Sequence, residues 1–349
     1  MKLLTKNCVM SGLLAASCAV AATPATAAEE LNLYSYRQPF LIKPLMDAFT
    51  AQTGTKVNIV YAQKGMLERI KSEGANSPAD LVLTVDIGRL NDMANAGVLA
   101  ETSSKTLSER IPANLRDPKG KWYGLTTRAR VLFVSKDRID SGAAFTYESL
   151  ADAAYRGKIC TRSGKHVYNI SLIASVIAHL GESKAEDWLK GVKANLNGKP
   201  RGNDRAQAKA IHAGECDIGI GNSYYYGKMV SNDKKPEQKD WAKSIRVVFP
   251  NQDSYGTHVN VSGAGVLKGS DNKEAAIALI EFLSSDKAQQ IYAQQNFEYP
   301  VVPGVKADAI TATLGSFKPD ELSLTEVAKY RATAAKLVDK VGFDLGPDD

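Results

Sequence analysis

Three consecutive tyrosines stand between two glycines in the segment GNSYYYGK, residues 221–228. A phenol has a pKa of about 10, so it is normally neutral and binds cations weakly. A highly charged ion can displace the proton, and the resulting phenolate is a hard oxygen ligand suited to a hard cation. Ferric iron fits this description better than a divalent ion. Tyr224, Tyr225 and Tyr226 therefore indicate a ferric iron site, unless they only pack into a core at the end of a strand.

A second segment, TRSGKHVYN, lies at a predicted turn from the strand GKICT into a helix. Ser163 and Gly164 precede that helix, whose first backbone N–H groups lack partners and favour an anion. Tyr168 lies in the same turn, and Arg37 and Arg128 could add bidentate donors from the other side of a cleft. The segment thus predicts a bound anion, such as carbonate, beside the metal. Ser163 could equally act only as a helix cap.

Glycines and periodicity predict the elements that must position these residues. Short β-rich runs alternate with helix-period segments from residue 31 onward, and the helices are expected to end at Gly54, Gly74 and Gly97. The tyrosine triplet follows the strand CDIGIG. In a regular strand Tyr224 and Tyr226 would share one face, but Gly221 and Gly227 allow the backbone to leave extended geometry, so that adjacent phenols converge. Single long helical patterns are expected over 272–293 and 324–343. In TTRAR, Arg128 and Arg130 should alternate on a strand, with one of them exposed.

This alternation is typical of an α/β fold with a mostly parallel sheet and helices on its faces. It occurs twice, and the two halves are joined by more than one crossing of the chain. We therefore expect two lobes with a cleft between them, and functional residues where strands end at that cleft. The mature chain of about 320 residues is long enough for both lobes.

The N-terminus has the pattern of a secretory signal peptide over residues 1–28. Lys2 and Lys6 precede an apolar, small-residue run from residue 9 to 22, which is too short for a membrane span. Cleavage before Glu29 would place the protein in the periplasm. The less favoured alternative is a lipoprotein anchored at Cys18. Removal of residues 1–28 lowers the formal net charge from +6 to +4, and the mixed charges that remain argue against nucleic acid.

Cleavage would leave Cys160 and Cys216 as the only cysteines of an exported chain. A disulfide between them is the natural expectation, because both lie in short strand-like runs that could be neighbours in one sheet. A two-cysteine metal site is the alternative, but the clustered spacing of such sites is missing.

The motifs YSYRQP, GLTTRARV, RSGKHVYN and GNSYYYGK resemble, in order and spacing, those of the ferric-iron-binding periplasmic proteins of ABC transporters. This is the FbpA-like branch of the periplasmic binding protein superfamily, and the resemblance covers nearly the whole mature chain. It implies a two-lobed periplasmic binding protein fold with a central interlobe cleft and crossing hinge strands. The implied lobes are 29–128 with 253–303, and 129–252 with 304–349.

The resemblance also implies a ligand set. Tyr224 and Tyr225 match the paired tyrosine ligands of the family, and Tyr168 matches a third tyrosine ligand of one subgroup. Tyr226 matches an aromatic neighbour that does not bind the metal. Ser163, Gly164, Asn203 and Asn222 fall where other members hold the synergistic anion, here expected to be carbonate.

Two departures from the family pattern occur near the first strand. Gln38 stands where some members carry a histidine ligand, and Pro39 stands where others carry a tyrosine. Tyr36 and Gln38 therefore remain candidates for a supporting position near the iron. The subgroup whose protein ligands are all tyrosines, with carbonate as the anion, is the most similar.

The resemblance implies a monomeric, non-enzymatic carrier that binds Fe3+ and delivers it to an ABC transporter permease. One alternative is a periplasmic binding protein for a small organic solute such as a polyamine, thiamine or a sugar. An exported enzyme is the other alternative, but the sequence lacks a G-x-S-x-G elbow, an H-E-x-x-H motif and paired carboxylates at the expected cleft turns.

Overall fold

The computed structural model describes residues 30–348. The predicted signal peptide and Cys18 lie outside the described residues. Within the described part, no helix is both long and apolar enough to cross a bilayer.

The strands form one nine-stranded sheet, in which β2, β1, β3, β8, β4, β6 and β5 are neighbours in that order and β7 and β9 also pair with β4. Their bounds are β1 Glu30–Ser35, β2 Lys56–Tyr61, β3 Leu81–Thr84, β4 Tyr123–Ser135, β5 Ile159–Cys160, β6 Ile218–Asn222, β7 Ile245–Val248, β8 Val259–Val266 and β9 Tyr299–Pro300. Strand β1 pairs parallel with β2 and β3, and β5 pairs parallel with β6. Strands β4 and β8 pair antiparallel to all their neighbours. The expectation of a mostly parallel sheet is therefore wrong, because the strands that cross between the two halves run against the others.

Helices cover the faces of this sheet. The α-helices are α1 Pro39–Thr53, α2 Met66–Glu73, α3 Ile87–Asn95, α4 Lys105–Arg110, α5 Val167–Leu180, α6 Glu182–Ala194, α7 Asp204–His212, α8 Tyr224–Val230, α9 Glu237–Lys243, α10 Lys273–Leu283, α11 Asp286–Asn296, α12 Ala309–Ala312, α13 Leu324–Lys329 and α14 Arg331–Lys340. Short 3-10 helices occupy Gly74–Asn76, Ala113–Leu115, Glu148–Ala151, Ala153–Tyr155 and Phe343–Leu345.

Strand β4 connects the two halves of the molecule. All of its thirteen residues are buried. Residues 123–129 pair with β8, whereas residues 130–135 pair with β6 and β7. The chain crosses back before β8, and the N–H of Arg130 donates to the carbonyl of His258 at this second crossing (2.9 Å). The expected crossing strands are therefore present.

The apolar cores divide at the same place on β4. The first core takes its residues from 31–125 and 261–302, together with Leu324 and Ala328 of α13. Beyond the division, Leu132 and Val134 of β4 face one core cluster, while Val131 and Phe133 face another. Alternate residues of a strand point to opposite faces, so helices cover both faces of the sheet there. The sequence boundaries of the lobes stay a prediction.

Some predicted helix ends are confirmed and others are wrong. Helix α1 ends at Gly54 in the left-handed conformation (φ 81°), and α2 ends before Gly74 as expected. The long pattern over 272–293 is broken between α10 and α11, because the hydroxyl of Ser285 caps α11 by accepting from the N–H of Ala288 (3.2 Å). The pattern over 324–343 is likewise split, into α13 and α14.

The disulfide between Cys160 and Cys216 is present, as predicted. Cys160 ends β5, and Cys216 stands two residues before β6, its parallel neighbour. Their Cα atoms are 6.0 Å apart, and 56 positions of sequence separate them. The bond therefore ties β5 to β6, at whose ends the candidate site begins.

Removing this bond should destabilise the second half of the molecule. Closing a loop of this length contributes about 4 kcal/mol in the chain-entropy model. We expect the double variant Cys160→Ser/Cys216→Ser to lose free energy of unfolding of about that size in urea titrations. Wild type measured with and without reductant is the control. An unchanged unfolding midpoint in the variant would contradict the expectation.

Candidate metal centre

Tyr224 and Tyr225 lie on the first turn of α8, immediately after β6. The backbone leaves extended geometry after Asn222, as the flanking glycines were expected to allow, and the chain turns into a helix. Successive helical side chains are turned by about 100° instead of 180°. The rings of Tyr224 and Tyr225 consequently lie side by side, with centroids 4.3 Å apart.

The two glycines around the triplet are required by close packing. A Cβ on Gly221 would lie 2.3 Å from the ring of Phe133, and one on Gly227 would lie 2.5 Å from the ring of Phe297. Both aromatic rings therefore rest directly on the backbone that carries the tyrosines. Glycine at these two positions thereby fixes the place of α8.

Tyr168 approaches the tyrosine pair from the start of α5. His166 caps this helix, and its Nδ1 accepts from the backbone N–H of Tyr168 (3.2 Å). The hydroxyl oxygens of Tyr168 and Tyr224 are 3.3 Å apart. Oxygen ligands held at about 2 Å from one small cation lie roughly 3 Å apart, so this pair could bind a single ion.

The three supporting candidates occupy different places. Tyr226 is half-buried and packs against the same core cluster as Phe133. Tyr36 is half-buried beneath the guanidinium of Arg89, which lies 4.2 Å from its ring centroid. Gln38 is exposed and lines the same cleft cavity as Tyr224 and Tyr225.

Burial keeps the tyrosine pair protonated. It raises the pKa of Tyr224 well above its usual value, and the neighbouring Tyr168 and Tyr225 phenols raise it further. Burial, followed by the nearby Asp204 charge, raises the pKa of Tyr225 to about 12. Both phenols are therefore neutral near pH 7.

Three guanidinium groups surround the ring of Tyr168. Those of Arg162, Arg128 and Arg130 lie 5.1, 5.9 and 5.9 Å from its centroid. Burial and the charge of Arg162 lower the pKa of His166 to about 3, so that this capping imidazole stays neutral.

A buried carboxylate, which the sequence patterns did not single out, orders two of these arginines. Asp204 is fully buried and accepts hydrogen bonds from Arg130 (2.7 Å), Arg162 (2.9 Å) and the backbone N–H of Asn222 (2.9 Å). An aspartate in the first turn of a helix ordinarily indicates only an interaction with the helix dipole. Its contact with two arginines distant in sequence could not be found from that signal.

The expectation that either Arg128 or Arg130 is exposed is wrong. Both side chains are only 2% exposed, because residues two apart on a strand share a face and every residue of β4 is buried. Arg128 donates to the carbonyl of Val85 and to Ser262 Oγ, and lies 4.0 Å from Asp86.

Other predicted anion donors already have protein partners. Arg37 is buried in an ion pair with Glu298 (2.8 Å) and also donates to Asn296 (2.8 Å). The hydroxyl of Ser163 and the N–H of Gly164 donate to the two carboxylate oxygens of Asp344 (2.5 and 2.6 Å).

The predicted asparagines differ in their availability. Asn203 is exposed and caps α7, accepting from the N–H groups of Arg205 and Ala206. Asn222 is buried, and its Oδ1 accepts from Arg130 (3.0 Å). Among residues 30–348 its Nδ2 has no partner, and neither do the buried Nε atoms of Arg128, Arg130 and Arg162. Donors suited to an anion are thus present on the Asn222 side of the site.

The tyrosine pair opens into a cleft cavity of about 620 Å3. Gln38 and Phe40 line one side, and Arg205 and Lys228 line the other. Burial, followed by the charge of Arg37, lowers the pKa of Lys228 to about 8. Among residues 30–348, no three His, Cys, Asp or Glu side chains are grouped to hold a metal ion. The phenols of Tyr224 and Tyr225 are therefore the candidate metal-binding groups of this cleft.

The Asp204 contacts lead to a test of stability. Asp204→Asn keeps the shape of the side chain but leaves two buried guanidinium groups without their shared charge. We expect the free energy of unfolding of the iron-free protein to fall by about 3–5 kcal/mol in urea titrations. Asp47→Asn is the matched control, because Asp47 forms an exposed i,i+4 pair with Lys43 and should cost about 0.5 kcal/mol or less. Equal effects of the two substitutions would refute this reading of Asp204.

Comparison with known proteins identifies the family. Residues 76–315 match the model of the bacterial extracellular solute-binding protein family. Iron uptake protein A2 of Synechocystis sp. is 46% identical over 316 residues, which are 90% of each chain. The major ferric iron-binding protein of Neisseria meningitidis is 27% identical over 97% of this chain and 99% of that protein.

Solved structures agree with these matches. Ferric iron-binding protein A of Mannheimia haemolytica, in an open conformation, is 50% identical with a TM-score of 0.87, covering 91% of this chain and 99% of that one. The Trichodesmium IdiA/FutA protein, in complex with iron and citrate ligands, is 47% identical with a TM-score of 0.87, covering 90% and 99%. The predicted two-lobed periplasmic binding protein fold is thereby confirmed. This chain belongs to the bacterial extracellular solute-binding protein family.

Proposed function

We propose that this protein captures ferric iron in the periplasm and delivers it to the permease of an ABC transporter. Relatives that match it over most of its length are named for iron uptake or ferric iron binding. As a member of a solute-binding family, the chain is a carrier and not an enzyme. The observation that carries the proposal is the 3.3 Å approach of the Tyr168 and Tyr224 hydroxyls, with Tyr225 packed beside them.

The chemistry of the site favours a trivalent ion. Deprotonating buried phenols whose pKa values are raised costs free energy, which a bound cation must supply. Hard, highly charged cations interact most strongly with phenolate oxygens. Tyr168, Tyr224 and Tyr225 are therefore proposed as the ligands, with Tyr226 outside the coordination sphere and Tyr36 and Gln38 near it.

We further propose that an anion, carbonate in the simplest case, completes the coordination. Asn222, Arg130 and Arg162 each have a buried donor atom without a partner among the described residues. These donors support an anion on the side of the phenols where the three residues lie. Ser163 and Gly164 could donate hydrogen bonds to this anion only if the Asp344 carboxylate moves away from them. Arg37 and Arg128 would act through the field of their charges, since their side chains are engaged elsewhere.

A cationic organic solute fits the cleft poorly. Arg205, Lys228 and Lys234 line the cavity beside the tyrosines, against one carboxylate, that of Asp233. A polyamine or thiamine would meet uncompensated repulsion from these side chains.

Closure of the lobes would complete the capture. The phenols lie beyond the division of β4, on the half formed with α5 and α8, and Gln38 approaches the cavity from α1 on the other half. We propose that the lobes, 29–128 with 253–303 and 129–252 with 304–349, close on the ion as a hinged pair. The bound ion would then favour the closed state that the permease receives.

Loading with ferric iron tests the ligand set. Wild type should bind one ferric ion per chain and acquire a visible phenolate-to-iron absorption band. Tyr168→Phe and Tyr225→Phe should weaken iron binding by more than the roughly 10–100-fold effect of losing a supporting residue, and shift or abolish the band. Metal analysis and absorption spectra check this.

Tyr226→Phe is the matched control and should keep both the metal and the colour. A wild type that stays colourless after ferric loading would overturn the iron proposal. Unaltered metal content and colour in both ligand variants would overturn the ligand assignment alone.

Proton release provides an independent test. Because burial raises the pKa of Tyr224 and Tyr225, both bind protons at neutral pH and must lose them when the metal binds. With Tyr168 as the third ligand, about three protons should leave the phenols per ferric ion, and affinity should fall as the pH falls. Potentiometric titration with a ferric chelate of known protonation measures the release.

Tyr168→Phe should release about one proton fewer than wild type under the same conditions. Equal release by the two proteins would exclude Tyr168 as a phenolate ligand.

A further inference from the structure

Five basic side chains beside the cleft have no acidic partner within 4.0 Å among residues 30–348. They are Arg205, Lys209, Lys228, Lys234 and Lys235. The nearby Asp233 carboxylate is paired with Lys239 instead (2.6 Å). Unpaired charges of one sign that line a concave surface raise the local potential and attract ions of the opposite sign, so this arrangement favours a negatively charged ligand.

Four of these side chains line a cavity of about 430 Å3, which we call the basic cavity. Arg205, Lys209, Lys234 and Lys235 supply its charge, and Trp241 supplies an apolar wall. No acidic residue of the described chain lines it. Its volume lies within the range of small-molecule sites, about 300–1,000 Å3.

The basic cavity adjoins the cleft cavity that contains the tyrosines. Arg205, Asn232 and Lys234 line both cavities. The guanidinium of Arg205 also lies 5.6 Å from the ring centroid of Tyr225. A ligand in the basic cavity would therefore lie next to the proposed metal ligands.

Hydrogen bonds shape the wall of this cavity in advance. Gln238 is buried, and its Oε1 accepts from Asn232 Nδ2 (3.0 Å). Asn232 Oδ1 accepts in turn from the backbone N–H of Lys235 (3.1 Å). Lys209 Nζ lies 5.8 Å from the Trp241 ring centroid. The segment carrying Lys234 and Lys235 is thus fixed to the start of α9.

We propose that the basic cavity binds the polycarboxylate chelator in which ferric iron arrives. The inference rests on the proposed function and adds the form in which the metal is taken up. A small polyanion matches both the size and the charge of the cavity, whereas a folded acidic partner would need a broad surface.

Transfer from such a chelate is a ligand exchange without electron transfer. The bonds between iron and the carboxylate oxygens break, and bonds to the phenolate oxygens of the three tyrosines form. The phenol protons pass to the released carboxylates or to water. During this exchange the basic cavity holds the chelator beside the phenols. Its basic side chains neutralise the negative charge that the carboxylates of the chelator regain when iron leaves.

Citrate binding to the iron-free protein tests the cavity directly. Calorimetry should detect citrate binding to wild type, weakening as salt rises. The triple variant Lys209→Gln/Lys234→Gln/Lys235→Gln should bind citrate at least about tenfold more weakly. Lys184→Gln, on the exposed face of α6, should bind as wild type does. Citrate affinity unchanged by the triple variant would overturn the proposal.

Uptake kinetics distinguish the chelator from the metal. In stopped-flow experiments the triple variant should acquire iron from anionic ferric citrate about tenfold more slowly than wild type. It should acquire iron from an uncharged ferric trishydroxamate at the wild-type rate. Equal slowing with both chelates would overturn the assignment, because the substitutions would then act on the phenol site itself.

The outcome for Tyr168→Phe separates this inference from the proposed function. This variant should still bind citrate as wild type does, although its iron binding is weakened. If wild type acquires no iron from either chelate, the proposed function fails. If wild type acquires iron from both chelates but binds no citrate, only the present inference fails.

Discussion

Burial of the phenols is the constraint on which the proposed metal centre depends. Tyr224 and Tyr225 have raised pKa values, so these two phenols hold their protons and stay uncharged until a cation displaces them. Binding of a weakly charged ion releases less free energy than deprotonation of several phenols costs, whereas binding of a trivalent ion releases more. Selectivity would thus arise from the free energy of deprotonation as well as from the geometry of the cleft.

Buried ion pairs on one strand hold this environment in place. Arg130 reaches Asp204 on one side of the division of β4, and Arg128 lies near Asp86 on the other. Breaking such a pair leaves an uncompensated buried charge, so the arginines and carboxylates fix each other's positions. Because Tyr168 lies against both guanidinium groups, the phenol is positioned where β4 passes from one half of the molecule to the other.

The sequence predicted the features that depend on local patterns. The strand and helix alternation, the glycine end of α1 and the disulfide follow from periodicity, backbone conformation and cysteine count. The sequence did not predict features that depend on contacts between residues far apart along the chain. The helical turn at Tyr224 depends on Phe133 and Phe297 packing against two glycines, and Asp204 acquires its role from arginines far away in sequence. Asp344, the partner of Ser163, is likewise distant along the chain.

A crystal structure of the ferric-loaded protein, with an anomalous difference map recorded at the iron absorption edge, tests the central claim most directly. The account predicts one strong peak within bonding distance of the hydroxyl oxygens of Tyr168, Tyr224 and Tyr225 in a single cleft. A peak bound by carboxylates or imidazoles, or one outside that cleft, would contradict it.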